Sequence, residues 1–151
     1  IFFKYLDQMN IHCLAFCQGG DYIGGFDNDI FTSLGKRRKA MNVYFYNTEK
    51  PIYYLSKGND DVTTYVNYSN RGYVFISNPY INVIQIETQK SSGGLTEMYK
   101  TFGTYIKSFY SVMFNPSCVK ISTMGKADRR IHHKINWSNA IPMIIEERYK
   151  K

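Results

Sequence analysis

The chain has 151 residues, of which 44% are hydrophobic and 21% charged. That balance fits one domain, or one domain with a substantial extension, with a core of its own, and disorder is not the default for it. Fourteen Tyr and ten Phe stand against a single Trp, and the formal net charge is +7. The bias toward Phe, Tyr, Ile, Asn and Lys points to an AT-rich genome, such as that of an organelle, a parasite or a large DNA virus. The charge is uneven: residues 1–80 carry eight Lys or Arg against seven acids, and residues 81–151 carry eleven against five. A positive second half implies an acidic partner, with nucleic acid ahead of a membrane surface.

Ile1 to Gln8 is too short and too interrupted for a secretory or membrane segment. It reads as a helical turn or arm in which Phe2, Phe3 and Leu6 need cover. Ile11 to Cys17 is an apolar run of strand length, closed by the glycines of residues 18–25. Those glycines lack the spacing of a dinucleotide fingerprint and are not followed by Gly-Lys-Ser/Thr, so they predict a turn without a nucleotide. Residues 20–28, GDYIGGFDN, resemble the glycine-pair segment of glutaredoxins, but the Cys-Pro-x-Cys of a working redox site is missing. Asp27, Asn28 and Asp29 suit the cap of a short helix through Leu34. After Gly35 come four adjacent cations, Lys36, Arg37, Arg38 and Lys39, which repel one another and belong either in solvent or on phosphates.

From Asn42 the pattern predicts strands at Asn42–Tyr46, Ile52–Ser56, Val62–Tyr68, Tyr73–Ser77 and Ile81–Thr88, joined by short turns. Leu95 to Phe114 carries an unbroken stripe at steps of three and four, from Leu95 through Tyr99, Phe102, Ile106 and Phe109 to Met113. This predicts one long amphipathic helix with Lys100, Thr104, Lys107, Ser108 and Ser111 on its wet side. Gly103 costs about 1 kcal/mol in such a helix, and Asn115-Pro116 ends it. Cys118–Thr123 predicts a strand returning to the same sheet, Met124–Arg130 a basic loop, and Ile131–Asn136 another strand. The expected fold is α+β, an antiparallel β-meander of about five strands packed by one long helix, with further short strands after it. Residues 1–32 read as an N-terminal extension, 33–136 as the α+β domain and 137–151 as a C-terminal tail.

No catalytic constellation stands out, so the chain is expected not to be an enzyme and to need no cofactor. Cys13, Cys17 and Cys118 have no pairing pattern and no His at ligand spacing, which predicts buried thiols rather than a metal site. A thiol enzyme using Cys17 or Cys118 with His133 as base would need a signature that neither segment carries. His132 and His133 are adjacent and point to opposite faces of a strand, so they cannot chelate one ion together. The chemistry lies in charge. Lys120, Lys126, Arg129, Arg130, His132, His133 and Lys134 crowd one span with Asp128 as the sole acid, and Trp137 follows. Lys and Arg suit phosphate oxygens, while Trp can stack on an unpaired base. Lys36, Arg37, Arg38 and Lys39 form a second patch.

Residues 33–46, SLGKRRKAMNVYFY, resemble the opening of the large-subunit ribosomal proteins of the L-six family, whose first domain begins with Ser-x-x-Gly-Lys-Lys and then a strand. The order of features after it is similar, down to the basic turn Met124-Gly125-Lys126-Ala127-Asp128-Arg129-Arg130. The likeness spans about residues 33 to 135 and lacks the family's second domain. It implies a structural constituent of a mitochondrial ribosome, located in the matrix. Its partners would be ribosomal RNA and neighbouring ribosomal proteins, with no membrane and no small-molecule substrate. RNA contact is then implied for Lys36, Arg37, Arg38, Lys39 and the turn from Gly125 to Lys134. From another class, a protein-interaction or coat subunit of an AT-rich virus or parasite would use a Tyr-rich sheet as its contact surface.

Overall fold

The computed structural model describes residues 1–9, 11–18, 40, 43–84, 96–103, 105–124 and 129–140. Helix α1 (Phe2–Gln8) leads into strand β1 (Cys13–Gln18), followed by β2 (Tyr44–Phe45), α2 (Asp60–Asn70) and β3 (Phe75–Val83). Two short helices, α3 (Thr96–Phe102) and α4 (Ile106–Phe114), precede the strands β4 (Val119–Met124) and β5 (Arg130–Ile135) and a final turn of helix, α5 (Trp137–Ala140). The chain is mixed α+β, as its sequence predicts. The arrangement within that class differs from a five-strand antiparallel meander.

One sheet has the order β2-β1-β3, and β1 is its centre. β1 runs antiparallel to β2 and parallel to β3, so the polypeptide crosses over between them and α2 lies in that connection. The run placed in an N-terminal extension thus supplies the sheet's middle strand. Side chains alternate along β1: Ala15 belongs to a core with Val62, Tyr65, Val66, Cys118 and Val119, whereas Leu14 packs with Leu6 and Ile11. Phe2 of α1 covers this second face through Phe16 and Phe45, at ring distances of 5.5 and 5.0 Å.

Four expected strands need correction. Val62–Tyr68 is helical, because Val62, Tyr65, Val66 and Ser69 also recur at helical spacing and all are buried; core packing outweighs the few tenths of a kcal/mol that each β-branched residue costs a helix. Asp60 and Asp61 complement the dipole of its first turn. The helix ends at Gly72, φ +97°, with Gly72 N–H donating to Ser69 O and Tyr73 N–H to Tyr68 O, the paired bonds of a Schellman cap. Ile52–Ser56 forms no strand with any of the described residues: the Tyr53 N–H bonds the Tyr68 hydroxyl of α2 at 3.0 Å. Tyr73–Ser77 and the run from Ile81 belong to one strand, β3. Its register against β1 jumps between Phe16 and Cys17, opposite Asn78 and Asn82, which accommodates Pro79, a residue unable to donate to a ladder.

The long helix of Leu95–Phe114 is also two helices. Gly103 has φ +78°, and a Cβ there would lie 2.9 Å from the Tyr105 ring, so the break needs glycine for both backbone and space. The faces of the second helix are reversed from expectation. Ser108 and Ser111 are fully buried, whereas Phe102, Tyr105, Phe109 and Met113 are exposed. β4 does not return to the first sheet but pairs with β5 in a separate two-stranded ribbon. No helix among the described residues is long and apolar enough to cross a membrane.

Candidate nucleic-acid interface

The β4–β5 ribbon carries three of the eleven Lys and Arg of residues 81–151, namely Lys120, Arg130 and Lys134. Lys120 opposes Lys134, Ser122 opposes His132 and Met124 opposes Arg130, while Val119, Ile121 and Thr123 oppose Ile135, His133 and Ile131. Directly opposed residues share a face and alternate along each strand. Lys120, Lys134, Arg130 and His132 therefore lie on one side of the ribbon. Lys120, Lys134 and Arg130 are exposed, His132 is half-buried, and Arg129 is exposed just before β5. Neither strand contains an acid, and among the described residues none of these four Lys and Arg side chains has an ion-pair partner, whereas Lys100 pairs with Glu97 of α3 at 3.5 Å.

The opposite face is anchored to the core by a polar seam. Asn59, Thr63 and Asn67 recur every four residues along α2 and meet Ser111 and Asn115 of α4. Asn67 Nδ2 donates to Asn115 Oδ1 at 3.0 Å, Asn115 Nδ2 to Thr63 O at 3.2 Å, and the Thr63 and Ser111 hydroxyls are 3.2 Å apart. The Asn59 amide donates both to Ser111 Oγ and to His133 Nδ1, the latter at 3.3 Å. An amide NH2 can only donate, so His133 Nδ1 accepts and the imidazole carries its proton on Nε2. Asn59 reaches both from a left-handed backbone, φ 55°, which Asn tolerates better than other side chains.

The expected contact residues thus divide. Lys120, Arg130, His132 and Lys134 come together on one face of the ribbon, and Arg129 is exposed next to it in the chain. His133 is buried behind it, 8% exposed. Trp137 is half-buried and stacks on Tyr65 with planes 4° apart and centroids at 6.2 Å, as part of the core. Lys36, Arg37, Arg38, Lys39 and Lys126, together with the capping Asp27, Asn28 and Asp29, lie outside the described residues. Ser122 and Met124 complete the face; strand alternation alone could have found them. The seam residues had no such signal, because Ser, Thr and Asn read as solvent-side groups.

No family, no characterised protein and no solved structure matches this chain.

The remaining reactive groups sit in the core. All three cysteines are buried. Burial pushes the Cys13 thiol up to about 12, against which a backbone bond from Phe45 acts weakly, so its thiolate is suppressed. Cys118 donates to Asn139 O at 3.4 Å. Among the described residues no group of three or more His, Cys, Asp or Glu could hold a metal ion. His132 and His133 meet with ring centroids 4.2 Å apart, so the two imidazoles touch despite the alternation of the strand.

Proposed function

We propose that this chain is a non-enzymatic RNA-binding structural protein that lays the outer face of the β4–β5 ribbon on a phosphate backbone. The observation that carries the reading is the rung of Lys120 against Lys134, with Arg130 two rungs along the same face. Opposed like charges weaken a ribbon by a few tenths of a kcal/mol when it stands alone, and a phosphate between them turns the repulsion into two charge-assisted bonds. The face supplies register and affinity rather than sequence choice, since Lys and Arg to phosphate carry no base information. Filter binding of a structured RNA over a salt series tests this. Affinity that falls with a log–log slope of about −0.7 to −0.9 per neutralised phosphate supports it, and absence of binding at low salt overturns it.

The setting, as a constituent of a mitochondrial large ribosomal subunit beside other ribosomal proteins, rests on the resemblance carried by residues 33–46. Co-sedimentation with ribosomal particles decides that part. A second reading, as an interaction or coat subunit, draws on a different surface from the Tyr-rich sheet. Phe102, Tyr105, Phe109 and Met113 are between 43% and 74% exposed along α3 and α4, and apolar side chains grouped at a surface are a feature of contact sites. Sizing without nucleic acid separates the two: a concentration-dependent oligomer favours the coat reading, and a monomer removes it.

A further inference from the structure

Helix α4 stands inside out. Its polar side is engaged, Ser111 with Thr63 and Asn115 with Asn67, so the helix cannot roll its rings into the core without breaking that seam. Tyr105 and Phe109, one turn apart, are left 46% and 43% exposed. Their rings stand nearly perpendicular, with 88° between planes and centroids at 6.2 Å. The Tyr105 ring is seated against Gly103, where a Cβ would lie 2.9 Å from it, so the bare backbone at the α3–α4 break gives that ring its place.

Two perpendicular rings make a corner for a flat group. A planar ring laid on the face of one stacks there and turns its edge to the face of the other, and these are the two arrangements that aromatic pairs prefer. The charge around the corner narrows the choice of occupant. α4 carries Lys107 and no acid, and β4 and β5, which pack against it, carry Lys120, Arg130 and Lys134 and no acid. A second copy of this chain, itself at +7, would set cation against cation. An unpaired nucleobase instead brings a π-face for the rings and a phosphate for the charges. Trp137, the ring that the sequence predicts for this role, is engaged with Tyr65 in the core.

We infer that the corner formed by Tyr105 and Phe109 holds an unpaired base, so that the RNA this chain takes carries a loop, a bulge or a single-stranded end. The inference rests on the RNA-binding reading above and names its class of RNA. Stacking is tolerant of sequence because every base has a π-face. The corner therefore selects unpaired over paired nucleotides without choosing among bases.

Two labelled RNAs of equal length, a hairpin with an unpaired loop and a perfect duplex, are titrated with the whole chain by filter binding over a salt series. The unaltered protein is compared with Phe109→Leu, Tyr105→Leu and Phe109→Trp, and circular dichroism shows that each is folded. The unaltered protein is expected to bind the hairpin about tenfold tighter than the duplex, the order of magnitude of one stacked base. Phe109→Leu and Tyr105→Leu stay apolar and should each lose that preference, with duplex affinity and its salt slope unchanged. Phe109→Trp should keep it. Equal affinity for the two RNAs in the unaltered protein, or a preference that survives either leucine variant, overturns the inference and leaves the RNA-binding reading standing. An oligomer that Phe109→Leu breaks up gives the face to a second copy and overturns it as well. No binding of either RNA at low salt by any form removes both.

Discussion

Lys120 and Lys134 stand directly opposite each other on the outer face of the β4–β5 ribbon, and on the proposed reading this juxtaposition sets stability against binding. Replacing one of them by Glu creates an opposite-charge rung, expected to raise stability by about 0.2–1 kcal/mol. On the proposed RNA-binding reading the same change removes a phosphate contact and adds a repulsive charge. Lys120→Glu should therefore raise the urea midpoint while lowering RNA affinity, and Lys120→Ala should reduce the salt slope by about one contact. A variant that loses stability and affinity together would show that Lys120 serves the fold instead.

Gly103 separates α3 from α4 with φ +78°, and an added Cβ would lie 2.9 Å from the Tyr105 ring. Gly103→Ala is expected to cost about 1–3 kcal/mol, although alanine is the better helix former. Were the two helices one in solution, the substitution would stabilise by about 1 kcal/mol. The sign of the shift in thermal midpoint distinguishes these outcomes.

The two strands of the ribbon and their cluster of cations were legible in the sequence because they depend on short-range pattern. Their pairing with each other was not, since Cys118–Thr123 was expected to return to the first sheet. Lys120, Ser122 and Met124 skip every second residue, as do Arg130, His132 and Lys134. The helix at Val62 was obscured, since Val, Thr and Tyr favour strands while the burial that decides the outcome comes from Cys118, Val119 and Ala15, distant in the chain. Ser108 and Ser111 mislead for a related reason. Their small hydroxyls read as solvent-side groups, yet Ser111 pairs with Asn59 and Thr63 about fifty residues earlier, and such pairings leave no periodic trace. The apolar stripe of Phe109 and Met113 then faces outward because the polar side of the helix is engaged.

The seam supports two substitutions of opposite sign. Asn59→Gly keeps the left-handed backbone at little cost but removes the two bonds to Ser111 and His133, and should destabilise by about 1–3 kcal/mol. Ser108 is fully buried and its Oγ has no hydrogen-bond partner among the described residues. Ser108→Ala should leave stability unchanged or raise it by about 1 kcal/mol. Chemical denaturation of the two variants side by side checks both, and a costly Ser108→Ala would point to a partner for that hydroxyl.

Stability should fall at both ends of the pH range, from different residues. His12 is buried against Tyr68, Tyr73 and Phe75, with ring distances of 5.4, 4.6 and 5.9 Å. Burial first, and then the charge of Lys50, hold its pKa below the ordinary value of 6.5. The folded chain therefore resists a proton that the unfolded chain accepts. The stability this represents is present above about pH 6.5 and is lost as pH falls toward the folded value. Cys13 behaves in the reverse sense. Its folded pKa of about 12 lies above the unfolded value of about 8.5, so its contribution is complete below about pH 8.5 and fades as pH rises toward 12. Burial raises Tyr44 as well, so Cys13→Ala should flatten the alkaline limb of a stability–pH curve without abolishing it. His12→Phe, which keeps an aromatic ring in the same cage, should flatten the acid limb. An acid limb of unchanged slope in that variant would show that a group other than His12 carries it.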